Sequence, residues 1–194
     1  TDKIFAIHTV INMKLAQKRS VYSVFVDYEK AFDTVKRSKL WYKLAANDIN
    51  GNILRIIKEM YNKAKSFVKV NGKISGQFPC QIGVRQGDNL SPLLFAIFLN
   101  DFETHIKTAF KGTEFISQKT TELLENEDTE TFFRMYCLLY ADDTVILAES
   151  EAELQRAITA LQEYCNKWDL RINIDKTKVL VFSRGKIRKL PNLE

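Results

Sequence analysis

Two adjacent carboxylates, Asp142 and Asp143, stand between two strongly apolar runs, Phe132 to Leu139 and Thr144 to Ala148, in the phrase Tyr140-Ala141-Asp142-Asp143. The length of each run and its content of aromatic, Val and Ile residues make it a short β-strand, so the carboxylates are expected at the turn of a hairpin. Two like charges in a buried turn oppose their own ionisation through desolvation and repulsion, unless a cation or solvent compensates them. A solvated turn is one reading and a charge-compensated site is the other. The local sequence leaves both open.

The chain around this point has the material for a packed core. Of its 194 residues 45% are apolar, with seven glycines and three prolines, which describes one compact domain. A formal net charge of +5 favours a polyanionic partner without identifying one. Most of the basic excess falls in residues 1–110, whereas Glu114, Glu122, Glu125, Glu127, Asp128 and Glu130 form an acidic stretch. Arg184, Lys186, Arg188 and Lys189 form a basic end. Cys80, Cys137 and Cys165 are odd in number and widely spaced, as expected of small buried hydrophobes in a reducing compartment. His8 and His105 are too few for a zinc site or a histidine-centred triad. No signal peptide and no apolar run of about 18 residues is present, so the expectation is an intracellular chain without a membrane span, in nucleus or cytoplasm. The chain starts with Thr and runs almost at once into periodic sequence, as expected of a piece of something longer.

Ile4, Ile7, Val10, Ile11 and Leu15 recur at helical spacing and predict a helix over 3–17. Tyr22 to Val26 is a run of β-formers that ends in Asp27, a way to present an acid from the edge of a rigid sheet. Asp33 competes with Asp27 for that role, and the position at the strand end favours Asp27. Two core helices are expected over 37–47 and 51–63. Asn71-Gly72 suits a primed turn and gives the strongest hairpin signal of the chain, with Lys63, Lys65, Lys69 and Lys73 around it. Those lysines suit a phosphate backbone or a solvated face equally.

Residues 82–92 form a glycine-bearing loop that leads into a long apolar helix expected from Leu93 to Phe110, with Pro92 fit for its first position. Gly83 and Gly87 allow a close approach of backbone to another group. A polar, acidic insertion over 113–131 is expected to be flexible. Leu154, Ile158, Leu161, Tyr164 and Cys165 mark a further amphipathic helix. Leu170 to Ile174 and Val179 to Phe182 read as extended pieces flanking a turn with Lys176 and Lys178, and the tail after Ser183 as frayed. Short strands alternating with helices around an antiparallel hairpin give an α+β fold, a small antiparallel sheet packed against helices.

Asp27, Asp142 and Asp143 can be brought together if their strands share a sheet. Oxygen ligands without Cys or His suit a hard divalent cation, above all Mg2+, with Mn2+ as a substitute. Two such ions can activate an attacking hydroxyl and steady a leaving phosphate.

The sequence resembles the palm region of reverse transcriptases, most closely the non-LTR retrotransposon (LINE-type) RNA-directed DNA polymerases, with kinship to group II intron maturases. Phe25-Val26-Asp27 through Ala31-Phe32-Asp33 is similar to the first catalytic block, and Gly83-Val84-Arg85-Gln86-Gly87 through Ser91-Pro92-Leu93 to the second. Tyr140-Ala141-Asp142-Asp143 resembles the third, and Asn173 to Lys176 with Val179 to Phe182 the next.

The resemblance implies a polymerase palm that transfers nucleotides from a dNTP to a DNA primer on an RNA template. It implies Asp27 and Asp142 as principal metal ligands with Asp143 beside them, and Phe32 as a ring beneath the incoming sugar. Gln86 and Gly87 would line the nucleotide pocket, with Arg85 near the template. Lys176 would approach the triphosphate, with Lys178 as the alternative, and Tyr140 would buttress the hairpin near the primer end. The family's fingers region and thumb are not found in this sequence, so the expectation is a single palm-type fragment over 1–194, impaired or inactive in isolation. A non-catalytic nucleic-acid-binding scaffold derived from such an enzyme, a maturase fragment and a nucleotide cyclase are the alternatives. The sequence sets no oligomeric state.

Overall fold

The structure, a computed structural model, describes residues 2–85, 87–114, 134–135, 137–140 and 143–185. In chain order the first elements are α1 (Asp2–Ala16), β1 (Val21–Val26), α2 (Ala31–Thr34), α3 (Arg37–Ala46) and α4 (Gly51–Asn62). Short strands β2 (Lys65–Ser66), β3 (Lys69–Val70), β4 (Lys73–Ile74) and β5 (Phe78–Pro79) precede α5 (Ser91–Leu99) and α6 (Phe102–Lys107). Then come β6 (Thr113–Glu114), β7 (Arg134–Met135), β8 (Cys137–Tyr140), β9 (Asp143–Ala148), α7 (Glu151–Trp168) and β10 (Lys178–Phe182). Two compact units divide the chain: Thr1–Tyr28, Asp101–Lys167 and Arg171–Glu194 form one, Glu29–Asn100 and Trp168–Leu170 the other.

An antiparallel sheet in the order β10-β1-β9-β8 organises the first unit. β1 reads Val-Tyr-Ser-Val-Phe-Val and buries residues of both parities, Val21 and Ser23 on one face and Val24 and Val26 on the other. A strand covered on both faces is apolar almost throughout, which is why its sequence barely alternates. β9 does the same, with Thr144 to Ala148 buried. α1 lays Val10 and Ile11 against Val21, Val145 and Leu147, with Ile7, Leu15, Phe25 and Phe182 at the edge of this cluster. Burying each such side chain stabilises the fold by roughly 1.5–3 kcal/mol. Lys14, almost fully buried, is neutralised by Glu149 at 2.5 Å.

The second unit is helical, with α3 packed on α4 and α5. Leu40 and Leu44 of α3 and Phe95, Phe98 and Leu99 of α5 are buried. From it runs the expected hairpin: β2 pairs with β5 and β3 with β4, and Asn71 and Gly72 take φ of 49° and 79° at its tip. Positive φ at both central residues is what a primed turn demands, and Asn-Gly meets it at little strain. Lys69, Val70, Lys73 and Ile74 are exposed, and Lys63 pairs with Glu59 at 3.3 Å.

The single helix expected from Leu93 to Phe110 is instead two, α5 and α6, separated at Asn100-Asp101 and ending at Lys107. The Asn100 amide donates to Asn47 Oδ1 at 3.1 Å, and the Asp101 carboxylate accepts the Tyr164 hydroxyl at 2.6 Å. Asn and Asp find partners off the helix more readily than other residues do, and here each takes one. The piece Leu170 to Ile174 contributes a single bridge, Tyr28 to Ile172, rather than a strand. Beyond Thr113 and Glu114 the acidic insertion over 113–131 lies outside the described residues, as does the tail from 186. Among the described residues no helix is long and apolar enough to cross a membrane.

Candidate active site

The register of the central strands places the carboxylates. Val26 and Thr144 are Cα partners in the β1–β9 ladder, so Asp27 follows one and Asp143 precedes the other at the same end of two neighbouring antiparallel strands. Directly opposed residues in such a ladder lie about 4.5–5.5 Å apart at Cα. Side chains alternate along a strand, which puts Asp27 on the parity of Phe25 and Asp143 on that of Val145, the same face. Asp143 is exposed and the Asp27 side chain is 38% exposed, whereas Tyr28 and Thr144, on the opposite face, are buried. The Thr144 hydroxyl donates to the Tyr28 hydroxyl oxygen at 3.4 Å, and burial pushes ionisation of that phenol far up, so it stays neutral. Tyr140 is the Cα partner of Asp143. Asp142, with Ala141 the link between them in sequence, lies outside the described residues.

Residues 172–177 border Asp27. The Asp27 N–H donates to Thr177 Oγ1 at 3.2 Å, and the Asp27 carbonyl accepts the Asn173 N–H at 2.8 Å. Lys176 Nζ lies 3.9 Å from Asp27 Oδ2, while the Lys178 ammonium donates to the Asp175 carbonyl. Of the two lysines expected near a triphosphate, Lys176 is the one beside the carboxylate.

In the second unit the loop from Ile82 to Ser91 surrounds an open cavity of about 470 Å³ lined by Phe32, Arg85, Gly87, Asp88, Asn89, Ser91 and Pro92. Phe32 packs its ring on Phe95 at 5.0 Å between centroids and is half-buried. Gly83 has φ +81°, and a Cβ there would stand 2.7 Å from the Asp33 carbonyl oxygen, so only glycine fits. Its N–H donates to Val35 O at 2.9 Å, and the Val84 N–H to Phe32 O at 2.7 Å, which ties the loop to the segment carrying Phe32. Arg85 lines the cavity, but one guanidinium nitrogen donates to the Met60 carbonyl at 2.8 Å and its Cζ lies 5.7 Å from the Tyr61 ring centroid. Gln86 lies outside the described residues.

Several residues organise these places through contacts that the sequence does not signal. The Arg37 guanidinium donates to the carbonyls of Cys80, Gly83 and Tyr61 at 2.5, 2.9 and 3.0 Å, and more weakly to Ile82 at 3.4 Å. Burial lowers its pKa, the largest influence on it. Thr177 and Asn173 act on Asp27 through its backbone, and Tyr28 and Thr144 through the far face of the sheet. Their partners are 24 to 46 residues away for Arg37 and 150 for Thr177, beyond any local periodicity.

As a cation site, the sheet end offers oxygen donors only among the described residues, the set that suits Mg2+ or Mn2+ rather than zinc. No group of three or more His, Cys, Asp or Glu side chains able to hold a metal is found among the described residues, from which Asp142 is missing.

Comparison with known proteins bears on the family and the fold. The family model for reverse transcriptase (RNA-dependent DNA polymerase) matches residues 2–190. An RNA-directed DNA polymerase from mobile element jockey of Drosophila melanogaster is 28% identical over 91% of this chain, and the match covers 18% of that relative. A 149 kDa protein of transposon TX1 from Xenopus laevis is 27% identical over 98% of the chain and 14% of its own length. The chain thus spans less than a fifth of either relative. Among solved structures, apo telomerase from Candida tropicalis, truncated from its C-terminal domain, superposes with a TM-score of 0.65 over 98% of this chain and 37% of that one, at 18% identity. That likeness shows a shared fold, and the family match covers nearly the whole chain: it belongs to the reverse transcriptase (RNA-dependent DNA polymerase) family.

Proposed function

We propose that this chain is the palm of a longer RNA-directed DNA polymerase, extending a DNA primer on an RNA template by transfer of a nucleotide from a dNTP to the primer 3′ hydroxyl. The observation that carries the reading is the β1–β9 register, which sets Asp27 and Asp143 at one strand end on one face. Asp27, Asp142 and Asp143 would hold two divalent cations, Mg2+ or Mn2+ in its place. When bound, such ions favour ionisation of the attacking hydroxyl and offset charge on the leaving pyrophosphate.

The chain's own groups would do the rest. Lys176, an ammonium on an exposed turn beside Asp27, would meet the triphosphate and give a proton to the departing pyrophosphate oxygen. The Phe32 ring, fixed on Phe95, would pack beneath the sugar and disfavour a 2′ hydroxyl. Gln86 and Gly87 would line the nucleotide pocket. Arg85 would lend positive charge on the template side while its bond to Met60 O steadies the loop. Tyr140 would support the primer end. Fingers and thumb functions are assigned to other parts of the parent polyprotein.

Primer extension on an RNA template with Mg2+ tests the reading, using this chain, the chain extended at both ends into its parent, and an Asp27→Asn form of each. The extended protein should extend the primer, its Asp27→Asn form should lose at least about 100-fold in rate, and the isolated chain should be weak or inactive. An extended protein whose Asp27→Asn form keeps full activity contradicts the proposal.

A further inference from the structure

We propose that the turn Asn173–Thr177 is a positioning device for Asp27, with Thr177 its key residue, and that this turn sets the carboxylate and Lys176 as one unit. The inference rests on the metal-binding reading of Asp27 given above. β1 ends at Val26, and its ladder with β10 ends at the pair Phe25–Lys178, so Asp27 lies beyond the end of the strand and past the last regular pair on that side. A residue in that position ordinarily frays, because neither its N–H nor its C=O has a strand partner. Here both are engaged. The Thr177 hydroxyl oxygen accepts the Asp27 N–H at 3.2 Å, taking the place of a ladder carbonyl, and the Asn173 N–H donates to Asp27 O at 2.8 Å. The Tyr28–Ile172 bridge continues the pairing by one more residue.

The turn is itself closed by polar groups of the same residues. Thr177 N–H donates to Asn173 O at 2.9 Å, and Lys176 N–H to the Asn173 side-chain oxygen at 3.3 Å. Lys176 therefore sits on a turn whose two ends are fastened to the Asp27 backbone, and its Nζ comes to 3.9 Å from Asp27 Oδ2. Moving Asp27 moves Lys176 with it. A ligand carboxylate held through its main chain keeps its approach to a cation, whereas one on a frayed end must be ordered again on each binding event. Thr177 touches neither nucleotide nor cation in this scheme, so it is a positioning residue.

The test is Mn2+ binding to the chain, read by loss of the free-ion electron paramagnetic resonance signal, alongside amide hydrogen exchange at Asp27 and a thermal melt for each variant. Asp27→Asn defines which Mn2+ binding belongs to this site. Thr177→Val should weaken that binding about tenfold and speed exchange of the Asp27 amide. Thr177→Ser, which keeps the acceptor, should restore both to within about twofold of wild type. Thr177→Ala is read beside Val, since it adds no methyl group to the site. Val and Ala variants that fold and bind Mn2+ like wild type, or a Ser variant as weak as Val, would overturn the proposal. Should Asp27→Asn bind Mn2+ as well as wild type, the metal reading of Asp27 fails first, and the positioning role falls with it.

Discussion

The sheet end at Asp27 and the glycine loop at 82–87 both depend on backbone held in place by side chains from elsewhere, but by opposite means. At Asp27 the fastening is neutral and comes from a single turn far along the chain: one side-chain hydroxyl and one backbone amide. At the loop a single charged side chain, Arg37, gathers three carbonyls at 3.0 Å or less. The neutral arrangement spreads its work over small contributions of about 1 kcal/mol each. The guanidinium concentrates it, so one substitution leaves several acceptors without a donor. The loop should therefore be the more brittle region, and the sheet end the more tolerant one.

Arg37→Ala is the strongest way to break that comparison. Chemical denaturation should show a loss of about 3 kcal/mol, as orphaned carbonyls and lost packing on Tyr61 combine. Arg37→Lys should recover less than half of it, because one ammonium cannot span the same fork of acceptors. Next comes Gly83→Ala, which meets the Asp33 backbone and a left-handed φ together and should destabilise by about 2–3 kcal/mol in the same assay. Tyr28→Phe tests the tolerant side: loss of one buried hydroxyl partner for Thr144 should cost only about 1 kcal/mol. A Tyr28→Phe loss larger than that of Arg37→Ala would reverse the comparison.

A smaller effect distinguishes charge from neutral pairing by pH. Lys39 and Lys36, at 2.5 and 2.9 Å, hold the Asp169 carboxyl at about 2, below the usual carboxylate range. A depressed carboxyl contributes stability above its unfolded pKa of about 4, and loses it as pH falls from there through about 2. Melts of wild type and Asp169→Asn should therefore differ most at neutral pH and converge near pH 2. Last, Cys165, whose thiol burial pushes up to about 12, should resist alkylation at pH 8 while the half-buried Cys80 reacts first.

Much of this was legible in the sequence because it depends on local chemistry. Asn71-Gly72 marks its own turn, since few other pairs accept positive φ twice. The nearly continuous apolar run of β1, interrupted only by Ser23, suits a strand covered on both sides, and Asp27 at its end follows. What was not legible depends on partners far along the chain. The split of the Leu93–Phe110 run at Asp101 answers to Tyr164, and the carbonyls that Arg37 gathers lie 24 to 46 residues along the chain, where no local pattern marks them. The choice of Asp27 over Asp33 could be argued from the strand end. The face shared with Asp143 needed the register Val26–Thr144, which no periodicity fixes.

That shared face is the core of the account, and Mn2+ titration of Asp27→Asn, Asp143→Asn and Asp33→Asn tests it most directly. Asp27→Asn and Asp143→Asn should each weaken binding by about tenfold or more, with Asp33→Asn within about twofold of wild type. Equal weakening by Asp33→Asn, or wild-type affinity in Asp27→Asn, would contradict it.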